Sequence, residues 1–317
     1  MSHPDSLPLE SGLTGKRALR PLMTAIARFK IPVATSIKLF HTYIEPILLY
    51  NVENWFKLSD MKLANFNPDT VFTETNTSKV DIVHRKFIRY ILGLSKSASN
   101  IPLYGETGET PLLLKGIRCL LNYWHRLTKL PDTTLAKKAL LEHATLRSNW
   151  LITIEKLINR FNLADKIGNH STFKWSNKEK IISEYHEFWK KGIRTNEGKL
   201  EFYREIKDTF EIEKYLCLEN FEQRKIIAKL RCSNHCLEIE AARHRRPKPD
   251  RELRLCKSCD TGLVESEAHF LLHCIKYDTL RQKFNIVDRS LLEIMNQDDQ
   301  SNLGSFLIEA FNTRNQV

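Results

Sequence analysis

Three cysteines and one histidine, Cys256, Cys259, His269 and Cys274, stand in the pattern C-x2-C-x9-H-x4-C. The two-residue gap in Leu255-Cys256-Lys257-Ser258-Cys259 lets both thiolates face one ion, and the second pair closes a tetrahedron of three sulfurs and one imidazole nitrogen. Such a set leaves no coordination position for water, so the expected cofactor is one structural Zn2+ that holds backbone in shape and performs no chemistry. The loop carries Asp260, Thr261 and Gly262 at a turn and few apolar residues, and a segment of that size does not fold without a cross-link. Cys119, Cys217, Cys232 and Cys236 lie outside the pattern, most of them in apolar helical contexts where a free thiol packs as a small hydrophobe. Two alternatives stay open. Cys232 and Cys236 could join Cys256 and Cys259 by leaving a helix end, and His273 could replace His269, although neighbours such as His273 and Cys274 rarely reach one ion. Glu265 and Glu267 are candidates to accept a hydrogen bond from the ligand histidine, or simply helix-start charges.

The elements that must position these ligands are helical. Apolar residues recur every three or four positions over Ala18 to Phe29 and Thr35 to Tyr50, and again over Val80 to Leu92, which Gly93 ends. Pro111 opens a further helix, Leu112 to Leu130, carrying Tyr123 and Trp124. Amphipathic stretches follow at Leu135 to Leu146, Trp150 to Phe161, Lys178 to Arg194, Lys199 to Phe210 and Phe221 to Leu230. Asn65 to Ser78, polar and rich in Asn and Thr, reads as a loop, and Ile101 to Gly108 as a turn. Strand alternation is scarcely visible, so the expected class is mainly α with a small zinc-stabilised module near the C-terminus.

The chain has 317 residues, 42% of them hydrophobic, enough for two or three domains with a sizeable core. No run reaches membrane-spanning length, the stretch Ile44 to Tyr50 being short and interrupted, so no membrane partner is expected. Met1-Ser-His-Pro-Asp-Ser lacks the features of a secretory signal, which leads us to expect reduced thiols in the cytoplasm, the nucleus or both.

A net charge of +11 favours a polyanionic partner, nucleic acid before membrane. From Glu222 to Arg254 there are ten Lys or Arg against five acids, whereas Cys256 to Val317 has six against nine. The basic stretch therefore leads into the cysteine loop. Arg243, Arg245, Arg246, Lys248, Arg251 and Arg254 are its densest part, around Pro247 and Pro249, while Arg224, Lys225 and Lys229 form a basic helix face, with Arg231 following. All ten are candidate phosphate contacts for RNA, DNA or both. The bland alternative is a solvated surface.

No catalytic constellation stands out. A two-metal polymerase or nuclease needs clustered carboxylates on rigid elements, and neither Pro249-Asp250 with Glu252 nor Asp298-Asp299 supplies one. Phosphate loops, nucleophile elbows and HExxH helices are missing, and no small-molecule substrate is expected.

Several ordered motifs carry a family resemblance. Val264-Glu265-Ser266-Glu267-Ala268-His269-Phe270-Leu271-Leu272-His273-Cys274 after Cys256-x2-Cys259 resembles the C-terminal region of reverse transcriptases of non-LTR (LINE-like) retrotransposons, as does Lys229-Leu230-Arg231-Cys232-Ser233-Asn234-His235 followed by Leu237-Glu238-Ile239-Glu240. Upstream, Tyr43-Ile44-Glu45-Pro46-Ile47-Leu48-Leu49-Tyr50, Phe87-Ile88-Arg89-Tyr90-Ile91-Leu92-Gly93 and Tyr104-Gly105-Glu106-Thr107-Gly108 are similar to segments beyond the polymerase palm. The resemblance spans about Gly15 to Arg289.

It implies a helical thumb/linker-like bundle followed by a small CCHC module, with no enzyme activity, because the palm and its catalytic aspartates are absent from this sequence. It divides the chain into a flexible N-terminus (1–14), a thumb-like helical region (15–130), a helical linker (131–221), a basic helix and loop (222–254), the CCHC zinc knuckle with its following helix (255–290) and a C-terminal helical tail (291–317). The implied role is to grip RNA or DNA during target-primed reverse transcription, with the parent polymerase or element ribonucleoprotein as a further partner. The competing class is a helical scaffold or protein-interaction module with a structural zinc, from a domesticated or decayed element.

Overall fold

The structure, a computed structural model, describes residues 7–195 and 199–314. The described residues form helices α1 (Leu7–Phe29), α2 (Val33–Tyr43), α3 (Glu45–Leu48), α4 (Val52–Trp55), α5 (Asp60–Ala64), α6 (Thr70–Thr77), α7 (Lys79–Leu92), α8 (Asn100–Thr107) and α9 (Leu112–Thr128). The series continues with α10 (Leu135–Thr145), α11 (Asn149–Arg160), α12 (His170–Thr195), α13 (Glu201–Ile206), α14 (Phe221–Arg231), α15 (Glu238–Ala241), α16 (Asp278–Lys283), α17 (Leu291–Asn296) and α18 (Ser301–Arg314). Among the described residues there is no strand, only two antiparallel bridges, Thr107 with Ile212 and Leu255 with Val264. The protein is mainly helical.

It divides into two compact units, one of Met1–Arg28, Ile37–Arg85 and Thr110–Trp189, the other of Phe29–Ser36, Lys86–Glu109 and Lys190–Val317. Both are assembled from separated segments, so the divisions at 130, 221, 254 and 290 expected from sequence do not mark their limits.

In the first unit α9 is the central element, with Ile117, Leu120 and Leu121 wholly excluded from solvent. Gly116 on this helix lets α4 approach closely, since a Cβ there would lie 2.8 Å from Val52 Cγ2. His125 is buried as well, its Nε2 donating to the Ile167 carbonyl (2.7 Å) and its ring stacked on Phe173 at 4.5 Å.

Asp81 of α7 accepts from the backbone N–H groups of Leu112 (2.7 Å) and Leu113 (3.3 Å), the first donors of α9, which have no partner within their own helix. Burial pushes the Asp81 carboxyl up to about 7, against the opposing pull of Arg85 and these N–H groups. The folded state therefore holds its proton where the unfolded chain, near 3.8, does not. The contribution is present in full below the unfolded value and is lost as pH rises toward about 7. Urea unfolding across that window is expected to show wild type losing stability relative to Asp81→Asn as pH rises. Parallel profiles would contradict the assignment.

Three expectations give way to packing. Residues 7–14, expected to be flexible, belong to α1, whose Gly15 would place a Cβ 2.3 Å from Leu48 Cδ2 and so sets a close approach; residues 1–6 lie outside the described residues. The polar stretch expected as a loop contains α6, because Val71 and Phe72 are buried and Phe72 meets Phe188 (5.1 Å), Tyr185 (5.9 Å) and Phe161 (6.4 Å). Arg85 then donates to the carbonyls of Thr75 and Asn76, both at 2.8 Å, satisfying acceptors at the end of that helix. Burial of Leu103 and Tyr104 likewise makes the expected turn at Ile101 to Gly108 the helix α8, which Gly108 ends at φ +66°.

In the second unit α14 packs along α18. Gly304 permits the contact, for a Cβ there would meet Gln223 Cβ at 2.6 Å, and Gln223 donates to Ser301 O (3.2 Å) and Ser305 Oγ (2.9 Å).

Candidate metal centre

The cysteine loop starts from the bridge between Leu255 and Val264, where Cys256 N–H donates to Leu263 O (2.8 Å) and Glu265 N–H to Arg254 O (2.9 Å). That pairing folds the chain back on itself, and Gly262 turns it at φ +69°. His269 lies at the head of a π-helical turn, His269–His273, and Cys274 at its end, whose N–H donates to His269 O (2.8 Å). The wider turn brings a residue five places on back to the histidine.

As a result Cys256, Cys259, His269 and Cys274 come together, each buried and each offering a ligand atom within 4.8 Å of the others. Cys256 Sγ lies 3.9 Å from Cys274 Sγ, and Cys259 Sγ 3.4 Å from His269 Nε2. Metal–sulfur bonds of about 2.3 Å and a metal–nitrogen bond of about 2.0 Å give tetrahedral edges of about 3.8 and about 3.5 Å, so the donors fit one four-coordinate ion. A disulfide needs sulfurs about 2 Å apart, and all seven cysteines are free thiols. Cys232 is buried elsewhere and Cys236 is exposed, so the alternative set is not assembled, while His273 points outside the group.

Local chemistry differs among the thiols. Burial pushes Cys274 up to about 12 and Cys256 upward as well. Burial also raises Cys259, yet the Thr261 hydroxyl at 3.1 Å, the Thr261 backbone and the neighbouring Cys256 and Cys274 thiols together outweigh it and hold that thiol below its ordinary value. Burial lowers His269, which favours the neutral imidazole a metal requires.

The supporting shell differs from the expected one. His269 Nδ1 is buried without a hydrogen-bond partner, so neither Glu265 nor Glu267 orients it. Glu267 instead pairs with His235 Nε2 (3.0 Å), and Glu265 receives a bidentate contact from Arg314 of α18 (2.7 and 2.8 Å). Arg281, which sequence reasoning passed over, is buried and donates to the carbonyls of Phe270, Leu271 and Cys274, fastening the turn that carries His269 and Cys274. The module is also not separate. Phe270 meets Tyr277 (4.9 Å), Phe306 (6.3 Å) and Phe311 (4.7 Å), so residues between the ligands form part of the second unit's core.

The ten basic candidates separate sharply. Arg231 is fully buried, its Nε donating to the equally buried Glu106 (2.8 Å) and its Nη1 to Met295 O (3.0 Å), with Glu213 3.1 Å away, so it cannot reach a phosphate. Arg254 is buried too, donating to Ile239 O (3.0 Å) and Pro249 O, and braces the loop entry. Arg224 is committed to the Leu218 and Glu219 carbonyls. Arg243 pairs with Glu240 (2.7 Å), Arg245 with Glu238 (2.7 Å), Arg251 with Glu201 and Lys225 with Glu222 (3.3 Å). Lys229, Arg246 and Lys248 form no ion pair among the described residues, and Arg246 and Lys248 are exposed. The acids that neutralise this stretch lie partly outside it, and a local charge count misses them.

Among known proteins, no protein-family model, no curated protein and no solved structure matches the chain.

Proposed function

We propose that this chain is a non-catalytic C-terminal portion of a non-LTR retrotransposon reverse transcriptase, which binds RNA or DNA and is held in shape by one structural zinc ion. The observation that carries the reading is the closed, buried Cys3His group at Cys256, Cys259, His269 and Cys274, whose donor set and edges suit zinc and leave no position for a reacting water. The net charge of +11 and the ordered motifs from Gly15 to Arg289 support the nucleic-acid part.

Zinc would neutralise thiolate charge in a buried place and tie the entry of the loop to the π-helical turn. The cations left accessible would hold phosphates by charge, so the affinity would be set by counterion release and show little base preference. Such a chain grips a strand, and polymerisation belongs to a palm supplied elsewhere.

A helical scaffold is the second reading, favoured by the internal pairing of Arg243, Arg245 and Arg251. Titration of labelled RNA and DNA at increasing salt separates the two. The nucleic-acid reading expects log affinity to fall linearly with log salt, at about 0.7 to 0.9 per phosphate contact. Weak, salt-independent binding would leave the scaffold. Primer extension by the isolated chain with magnesium would contradict the non-catalytic assignment.

A further inference from the structure

Accessible cations are not confined to the arginine-rich stretch, where Arg246 and Lys248 are exposed. A second group surrounds the loop between α7 and α8. Gly93 ends α7 at φ +67°, and a Cβ there would meet Lys225 Cγ at 2.6 Å, so the stem of Lys225 lies directly over this turn. Lys229 is one helical turn further along the same face of α14, and its carbonyl accepts from Asn234 N–H (2.8 Å). Asn234 in turn clamps the loop. Its Oδ1 accepts from Ser95 N–H (2.9 Å) and its Nδ2 donates to Ser95 Oγ (2.8 Å) and Ser97 Oγ (3.4 Å). From another side Lys199 Nζ donates to Ser97 O (3.2 Å).

Exposed Ser95, Lys96 and Ser97 therefore lie beside Lys199 and the stem of Lys225, with Lys229 one turn on along α14 and the two serine hydroxyls 2.7 Å apart. Lys96 and Lys229 have no ion-pair partner among the described residues, and Lys225 shares only the exposed Glu222. Arg89 fixes the far end of the loop through Ala98 O (3.0 Å) and Asn100 Oδ1 (2.7 Å). The helix that follows, α8, has no side chain capping its N-terminal N–H groups. The loop and its neighbours thus bring four lysines and two hydroxyls to one backbone segment, with Glu222 as the one carboxylate paired with them among the described residues, a net positive charge that suits an anion.

We propose that the Ser95–Ser97 loop, together with Lys199, Lys225 and Lys229, is a binding site for the phosphodiester backbone of a nucleic-acid strand. It rests on the reading that the protein binds nucleic acid, and it moves the main contact away from the arginine-rich stretch. Lysine holds phosphate as a point charge and serine as a short donor, while neither presents the fork that reads guanine edges, so the site takes the backbone without regard to sequence. Asn234 is a positioning residue, since its amide is committed to Ser95 and Ser97.

The test is fluorescence anisotropy of the full-length, zinc-loaded chain with labelled single-stranded RNA and DNA of one sequence, at about 50 and about 200 mM salt. Lys96→Ala combined with Lys229→Ala is expected to weaken both polymers on the order of tenfold at the lower salt and to reduce the salt slope by roughly 1 to 2. Arg246→Ala combined with Lys248→Ala is expected to lose less. Lys96→Arg with Lys229→Arg should retain binding, which separates lost charge from lost fold. Wild-type binding that the alanine pair leaves unchanged would overturn this site and spare the nucleic-acid reading. A loss confined to one polymer would overturn the backbone assignment, and a wild-type chain that binds neither polymer at low salt would overturn both.

Discussion

Cys259→Ser is expected to leave the purified chain without stoichiometric zinc and to strip structure from the second unit as far as α18. The loop has little apolar surface of its own, Lys257, Asp260, Thr261, Gly262 and Leu263 all being exposed, so on the proposed reading its ordering entropy of roughly 1 to 2 kcal/mol per residue is met by the metal. Structural zinc binding is worth on the order of 10 kcal/mol at neutral pH, comparable with the whole stability of an ordinary domain. The loss does not stop at the loop, because Phe270 and Leu271, between His269 and Cys274, are buried and Phe270 packs on Phe306 and Phe311. Hydrogen exchange should lose protection over Leu255 to Arg314 and keep it in α9 and α11, whose core of Ile117, Leu120, Ile154 and Leu157 needs no metal. Helicity should fall in part. A variant that retains one zinc per chain would refute the ligand assignment, and full protection of α18 would refute the coupling.

The second large effect is expected from a residue that composition assigns to the surface. Arg231→Ala should destabilise the second unit by about 3 to 5 kcal/mol, because it leaves buried Glu106 with no cation and Glu213 with Lys207 alone. Arg231→Lys should not restore it, since the guanidinium reaches Glu106, Glu213 and Met295 O from three nitrogens at once and an ammonium cannot. Lys248→Ala, by contrast, should stay within about 0.5 kcal/mol of wild type. Urea unfolding measures both. A small stability change in Arg231→Ala, accompanied by a reduced salt slope in nucleic-acid binding, would return Arg231 to the phosphate contacts.

Spacing made the grouping of Cys256, Cys259, His269 and Cys274 legible, because a two-residue gap and a later His and Cys restrict geometry wherever they occur. The helical class was legible from period, and Gly93 and Gly108 end helices as glycine at positive φ does. What sequence could not supply was distance between remote residues. Arg231 looked like its neighbours Lys225 and Lys229 on a basic stretch, and partners remote in sequence, Glu106 125 residues away together with Glu213 and Met295, distinguish it. The same holds for α6, whose Thr and Asn content argues for a loop until Phe161, Tyr185 and Phe188 close over Phe72. Arg281 carried no signal either, since its role is to meet carbonyls of a turn whose π geometry no propensity announces.

Zinc-edge X-ray absorption on the purified chain bears most directly on the central claim, that Cys256, Cys259, His269 and Cys274 close around one structural metal ion. One zinc per chain is expected, with three sulfurs at about 2.3 Å and one nitrogen at about 2.0 Å, unchanged in His273→Ala and lost in Cys259→Ser. A metal-free chain at full solubility in which Cys256, Cys259 and Cys274 all react with a thiol reagent, or a shell of oxygen and nitrogen without sulfur, would contradict it.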